Sequence, residues 1–256
     1  MNPSLGMVMD AMPTVSDQAI CIRQWDFSET SQTVSLFGRE LGLFRALAKG
    51  SRRPKSSFSG GIDLLTLGDI VTIIKPGKEL CTLTEWGLNR VWWRIRTDVN
   101  ANRVAYFISD CVSRMLDQQD PHPGVFDAMV HSLDEIEQGV EQEYVLARFL
   151  WMLLVDVGYR PRFDGASVSD EENGTVLFSP SEGGVVGEAT GAGCWRVRCS
   201  TIRLLQSIEL GETIHGGDRE SAGRASRLLA AYLREVMGNE PPTLAMVFPD
   251  LAGGRV

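Results

Sequence analysis

Hydrophobic and polar positions alternate with a period of two along the first third of the chain, then change to a spacing of three and four. Residues 18–27 alternate as a half-buried strand does, 28–31 form a polar turn, and 32–37 alternate again. Gly38 and Gly42 punctuate the chain, 43–48 lead into a polar stretch, and Gly60-Gly61 precedes two further β-rich runs at 62–67 and 69–75. Pro76-Gly77 turns the chain into a last short strand at 79–85. Short strands separated by Gly and Ser turns predict a small closed or nearly closed barrel.

From Asn89 onward Val91, Trp92, Ile95, Val104, Phe107, Ile108, Val112 and Leu116 recur at helical spacing. The Asp120-Pro121-His122-Pro123 run breaks the pattern, and helices are predicted at 124–139 and 143–157, the second apolar almost all round and therefore central. Residues 158–195 are rich in Gly, Ser, Asp and Glu, with β-like pieces at 175–178 and 183–186. They read as a hairpin or loop insertion. Helical spacing returns at 199–210 and 219–237 and ends at Pro241-Pro242, after which the chain looks frayed. The expected class is α+β: a disordered start at 1–16, a barrel at 17–88 of the OB type, and a helical domain at 89–256 carrying the insertion.

Charge changes this picture at one place. Residues 39–55 hold Arg39, Arg45, Lys49, Arg52, Arg53 and Lys55 against Glu40 alone, in a chain whose formal net charge is −8. Clustered Arg and Lys among Gly, Ser and Pro suggest a mobile, phosphate-binding loop, although a solvated basic loop would account for the charge equally well. A pI near 5.0 argues against nucleic-acid binding over the whole surface. The five scattered cysteines fit a reducing cytoplasm better than a disulfide scaffold. The most apolar run contains Arg148 and Asp156 and is too short to cross a bilayer, so no membrane partner is expected.

The sequence contains no Walker-type or dinucleotide-binding glycine pattern, no nucleophile elbow, and no helical His pair for zinc. His122, His131 and His215 lack a second ligand at metal-binding spacing. No enzyme, metal or cofactor is therefore expected. A barrel bearing a cationic loop is a plausible single-strand binder if aromatic side chains provide stacking platforms. Trp25, Phe27, Phe37, Phe44 and Phe58 lie on or near the barrel; most are expected in the core and one or two to stack on bases, with Phe58, directly after the cations, the more exposed candidate.

Three groups of residues resemble the amino-terminal domain of the RecO family of bacterial DNA repair proteins. They are Asp26 to Ser31 with Val34-Ser35-Leu36-Phe37, Gly42-Leu43 with the run from Ala48 to Ser56, and Glu79 to Glu85. Leu146-Ala147-Arg148-Phe149, Leu153-Leu154, Gly158-Tyr159 and Pro161 resemble that family's central helix and its exit, so the likeness covers most of 17–240. The resemblance implies a non-enzymatic recombination mediator of the RecF pathway in the bacterial cytoplasm, at the nucleoid. Such a protein binds single- and double-stranded DNA, anneals strands, engages the acidic carboxyl-terminal tail of single-strand binding protein and, with RecR, helps load RecA.

On this reading Arg39, Arg45, Lys49, Arg52, Arg53, Lys55 and Phe58 would meet DNA, and Arg148 with Phe149 would offer the tail a cation over an apolar floor. Arg203, Arg224 and Arg227 would add positive charge, and the competing role for Arg148 is an internal salt bridge with a helix acid such as Glu141 or Glu143. Two departures from the family stand out. Positions where relatives carry four zinc-binding cysteines hold Ala166, Ser169, Gly187 and Thr190, and a Lys/Ser/Arg segment after the last helix is replaced by Gly238 to Leu244. The alternatives are a scaffold that bridges repair proteins without binding DNA, which the net charge favours, and a phosphodiester-processing enzyme, which would need clustered carboxylates for Mg²⁺.

Overall fold

Five strands, β1 (Thr14–Ser28), β2 (Ser31–Gly38), β3 (Gly42–Ala48), β4 (Thr66–Ile73) and β5 (Leu80–Val91), close into a barrel in the order β1-β2-β3-β5-β4. The computed structural model describes residues 14–58, 60–74, 77–163, 174–187, 193–212 and 219–252. The barrel lies in one of two units, Met1–Val91, and the helices lie in the other, Trp92–Val256. Closure depends on the length of β1, whose first half pairs with β4 (Thr14 opposite Ile73) and whose second half pairs with β2 (Ser28 opposite Ser31). β3 and β5 run parallel and the other pairs antiparallel.

Alternation sends Ala19 and Cys21, Val34 and Leu36, Phe44, Ala46 and Ala48, and Cys81 and Leu83 into one core with Ile70 and Trp86. Burial pushes the Cys21 thiol up to about 12, and nearby Asp63 adds to the shift, so this cysteine packs as an apolar side chain.

Three boundaries differ from the sequence reading. Thr14, Val15 and Ser16, expected to be disordered, pair with β4. Residues 62–65 form no strand: Leu65 adopts φ 51° and donates to the Cys21 carbonyl, which turns Ile62 and Leu65 inward. β5 continues past Glu85 to Val91 because β4 needs a partner along its whole length, so the helical spacing begins later than Asn89. Gly68 marks a close approach here, since a Cβ at this position would lie 2.7 Å from the Trp86 ring.

In the second unit α1 (Arg94–Thr97) leads into α2 (Val99–Met115), capped by the Asp98 carboxylate, which accepts from the Asn100 and Ala101 amides. Those two bonds hold the Asp98 carboxyl below its usual range. α3 (Pro123–Gln138) starts on a proline and stops at Gly139, whose φ of 83° suits glycine. α4 (Gln142–Asp156) is central, burying Tyr144 to Ala147, Phe149 to Trp151, Leu153 and Leu154, and it packs against α3 and against α6 (Arg219–Met237). α5 (Cys199–Glu209) lies beside α6.

The insertion is a three-stranded sheet, β7-β6-β8, built from β6 (Thr175–Ser179), β7 (Gly184–Val186) and β8 (Trp195–Arg198). β8, absent from the sequence reading, is four residues whose alternation is too short to register. Buried Phe178 stacks on Trp195 (5.8 Å between centroids) and meets the edge of Tyr232 of α6 at 5.4 Å, which fixes the sheet to the helices. Gly187 lies in the described insertion, while Ala166, Ser169 and Thr190, like His215, lie outside the described residues. No group of three or more His, Cys, Asp or Glu side chains is placed to hold a metal among the described residues.

The stretch from Thr243 to Leu251 is docked, while residues 253–256 lie outside the described residues. α7 (Leu244–Val247) precedes Phe248, which packs edge-on against Phe107. The Thr243 hydroxyl donates to Asp110, and buried Arg234 donates to the Leu251 carbonyl. No described helix is long and apolar enough to cross a membrane.

Two outcomes are expected. Gly68→Ala drives a methyl carbon into the Trp86 ring, and overpacking of this kind costs about 1–3 kcal/mol. The urea midpoint of the barrel, followed by circular dichroism, should fall, and an unchanged midpoint would mean the indole can step aside. Elemental analysis of the purified chain should find no stoichiometric zinc, because the sheet is anchored through Phe178, Trp195 and Tyr232. Zinc whose chelation unfolds the insertion would overturn this.

Candidate nucleic-acid interface

The cationic loop between β3 and β4 is held at both ends by one buried amide, that of Gln32. Gln32 is 2% exposed. Its Oε1 accepts from the Ser51 hydroxyl (2.9 Å) and the Ile62 amide (3.1 Å). Its Nε2 donates to the Ile62 carbonyl (3.1 Å) and to Gln24 Oε1 (2.9 Å). A buried amide is costly unless its polar atoms are bonded, and here both are.

Neighbouring bonds extend the frame. The Gly50 amide donates to Ser31 Oγ, the Arg52 amide to the Thr30 carbonyl, and the Ser57 hydroxyl to the Thr84 carbonyl. Gly50 takes φ 69° in the turn that begins the loop. The expectation of a mobile loop is corrected accordingly: both ends and the middle are tied to the barrel.

Lys49, Arg52, Arg53 and Lys55 point outward from this frame and are exposed. The Arg52 guanidinium lies 2.5 Å from the Asp26 carboxylate, both largely in solvent, where such a pair contributes little net stability. Arg45 projects from the outer face of β3, with its guanidinium 5.5 Å from the centre of the Trp25 ring. Arg39 is not brought to this cluster. It sits in the β2–β3 turn at the opposite end of that hairpin and pairs with Glu40 at 2.7 Å.

The exposed aromatic is not Phe58, which is 3% exposed and fills the barrel core beside Ile62 and Trp86. As the large apolar side chain of a cationic loop, it supplies the loop's hydrophobic anchor. Among the described residues of the barrel, Trp25 (43% exposed) and Phe27 (64% exposed) are the aromatics in solvent. The cause is a register slip. Cys21 faces Leu36 but Arg23 faces Ser35, leaving Ile22 unpaired. Beyond the slip, odd-numbered positions move from the core to the outer face, so Gln24 lies opposite core Val34 and Trp25 opposite Thr33. A second slip at Phe27 leaves that ring outside as well. The outer face of β1-β2-β3 thus carries Arg23, Trp25, Thr33, Ser35, Arg45 and Leu47. In OB barrels this is a surface where oligonucleotides bind.

In the helical unit the five residues expected to meet a partner do not form one site. Phe149 is 1% exposed and belongs to the core, because α4 is covered on that side, so it cannot be a partner's apolar floor. The Arg148 guanidinium is engaged by Glu135 of α3 at 2.5 Å, not by Glu141 or Glu143. Arg224 and Arg227 of α6 line a groove of about 600 Å³ with Glu143, Arg219, Glu220 and Gly223. Arg219, which the sequence reading passed over, reaches Glu143 through Nε and Nη2 at 3.1 and 2.9 Å, and these bonds raise its pKa. Arg224 pairs with Glu220 and donates to Ser200, Thr201 and Ser221, while Arg227 pairs with Asp250. Arg203 lies on α5, outside the residues that line the groove.

Comparison with known proteins covers both units. Residues 12–91 match the family described as Recombination protein O N terminal, and residues 96–245 match Recombination protein O C terminal. Proteins named DNA repair protein RecO are similar to this chain over 167 residues. One from Bacillus cereus (strain B4264) is 31% identical, and those from Bacillus cereus (strain AH187) and Bacillus anthracis (strain CDC 684 / NRRL 3495) are 30% identical. In each case the match takes in 65% of this chain and 66% of the relative, so the chain spans just under two thirds of those relatives' length. With family matches to the barrel unit and to the helical unit, this chain belongs to the RecO family.

Proposed function

We propose that this protein acts in DNA repair and recombination as a non-enzymatic mediator, working at the nucleoid in the bacterial cytoplasm. On this reading the barrel binds DNA through phosphates. The carrying observation is that Lys49, Arg52, Arg53 and Lys55 project from a frame fixed by Gln32, in a chain that is otherwise acidic. Binding to such a frame orders fewer side chains and less backbone than binding to a free loop, which lowers its entropic cost.

Arg45 makes a fifth cation, and Arg39 is left out because it lies at the other end of the hairpin. If all five meet phosphates of a single strand, log K against log salt should fall with a slope of roughly −3.5, at about −0.7 per contact. Replacing Arg52 and Arg53 with Ala should flatten the slope by roughly 1–1.5 and weaken all sequences alike. An unchanged slope would remove the loop from the interface. Wild-type protein that binds no oligonucleotide at low salt would instead favour a scaffold that only bridges repair proteins.

The family resemblance further suggests strand annealing, contact with the acidic tail of single-strand binding protein, and work with RecR in loading RecA. For the tail, the groove suits carboxylates better than Arg148 does, because Arg219, Arg224 and Arg227 line it together and the acids on Arg224 and Arg227 are exposed and displaceable, whereas the Glu135 that holds Arg148 is largely buried. A charge-assisted contact of this kind is worth about 1.5–3 kcal/mol, so Arg224→Ala should weaken binding of a labelled tail peptide by roughly 10–150-fold. Arg148→Ala, in a folded protein, should change it far less. The reverse ranking in fluorescence anisotropy would return the site to α4.

A further inference from the structure

The two exposed aromatics of β1 stand among the cations of the proposed DNA face without any role in the fold's core. Trp25 is covered on one side by the Arg45 guanidinium, and the intervening residue, Asp26, is tied to Arg52 of the loop. Phe27 follows at the second slip in register. Two residues of strand advance about 6.6–6.8 Å, roughly twice the 3.4 Å repeat of bases along a nucleic-acid strand. Both rings are therefore within reach of bases about two positions apart along one stacked strand.

We propose that Trp25, supported by Phe27, is a base-stacking platform that biases this protein toward single-stranded over duplex DNA. The proposal rests on the reading of this face as a DNA surface and adds to it which residues tell the two forms apart. Phosphates are present in both forms, so the loop cations bind both. A π-face is accessible only on a base that is not already stacked between neighbours in a duplex, so an aromatic platform favours the single strand. Arg45 completes the arrangement. Resting over the indole in the free protein, it stands beside the position of a stacked base and can turn to that nucleotide's phosphate, as a cation next to a stacking aromatic does at single-strand sites.

The test uses the full chain with a fluorescein-labelled oligothymidine strand and a labelled duplex of equal length. Stacking on one aromatic corresponds to roughly 5–150-fold in affinity, so Trp25→Ala should weaken single-strand binding by that factor while duplex binding changes less than about twofold. Trp25→Phe, which keeps a π-face, should recover most of the loss, and Phe27→Ala should show the same selectivity with a smaller effect. The salt slope should be unchanged in all three, whereas Arg45→Ala should flatten it by about 0.7.

Single-strand binding should also quench tryptophan emission, and Trp25→Phe should remove part of that quenching. Urea midpoints control for folding, and because Trp25 is half exposed they should move little. Equal losses on strand and duplex, or no loss on the strand, would overturn the assignment of Trp25 while leaving the phosphate-binding loop in place. Wild-type protein that binds neither probe would overturn the DNA-face reading and this proposal together.

Discussion

The cationic loop of the barrel depends on the buried amide of Gln32. Its oxygen and nitrogen bind Ser51 at the start of the loop and both backbone groups of Ile62 near its end. One side chain therefore stands in for the strand pairing that a loop lacks. Residues that carry the family resemblance bond beside this amide: Ser31 holds Gly50 and Thr30 holds Arg52, while Gln32 itself holds Ser51. With Phe58 sunk in the core, repulsion among Lys49, Arg52, Arg53 and Lys55 is borne by a bonded backbone and cannot spread the loop.

What the sequence made legible follows from how far each signal is local. Period-two alternation marked the barrel strands and helical spacing marked α2 to α6, because each is written within one element. The outward turn of Trp25 was hidden because it arises from a single unpaired residue, Ile22, and a bulge there leaves no compositional mark. Simple alternation from Ala19 and Cys21 puts Trp25 inside.

Phe58 failed for a related reason. Proximity to cations in sequence suggested exposure, whereas its role as anchor depends on a core built from the barrel strands. In the helical unit the ion pair that occupies Arg148 joins it to Glu135, 13 positions earlier and on another helix, so local reading chose the nearer acids Glu141 and Glu143. α7 was missed because a single turn has no periodicity to detect. Its place is set by Asp110, Phe107 and Arg234 from elements far away in sequence.

The two proposed binding surfaces share a design in which cations are already engaged. Arg52 leans on Asp26 and Arg45 on an aromatic face, while Arg219, Arg224 and Arg227 are met by Glu143, Glu220 and Asp250. At Arg52 and in the groove of the helical unit, an incoming phosphate or carboxylate must therefore exchange with an acid of the protein. Exchange gains less free energy than capture of a bare cation would, because the guanidinium's own partner has to be returned to water.

The surrounding acidity acts in the same direction. At physiological salt the Debye length is about 8 Å, so a formal net charge of −8 opposes DNA only over short distances and leaves the local cluster free to bind on contact. Binding then depends on local cations and exposed rings rather than on the field of the whole molecule, and it stays sensitive to salt. For a protein whose proposed work is to hold DNA and then give it up to other repair proteins, moderate attachment is more useful than tight attachment. Stacking fits that requirement, since it adds selectivity for unpaired bases without adding charge that would hold duplex and single strand alike.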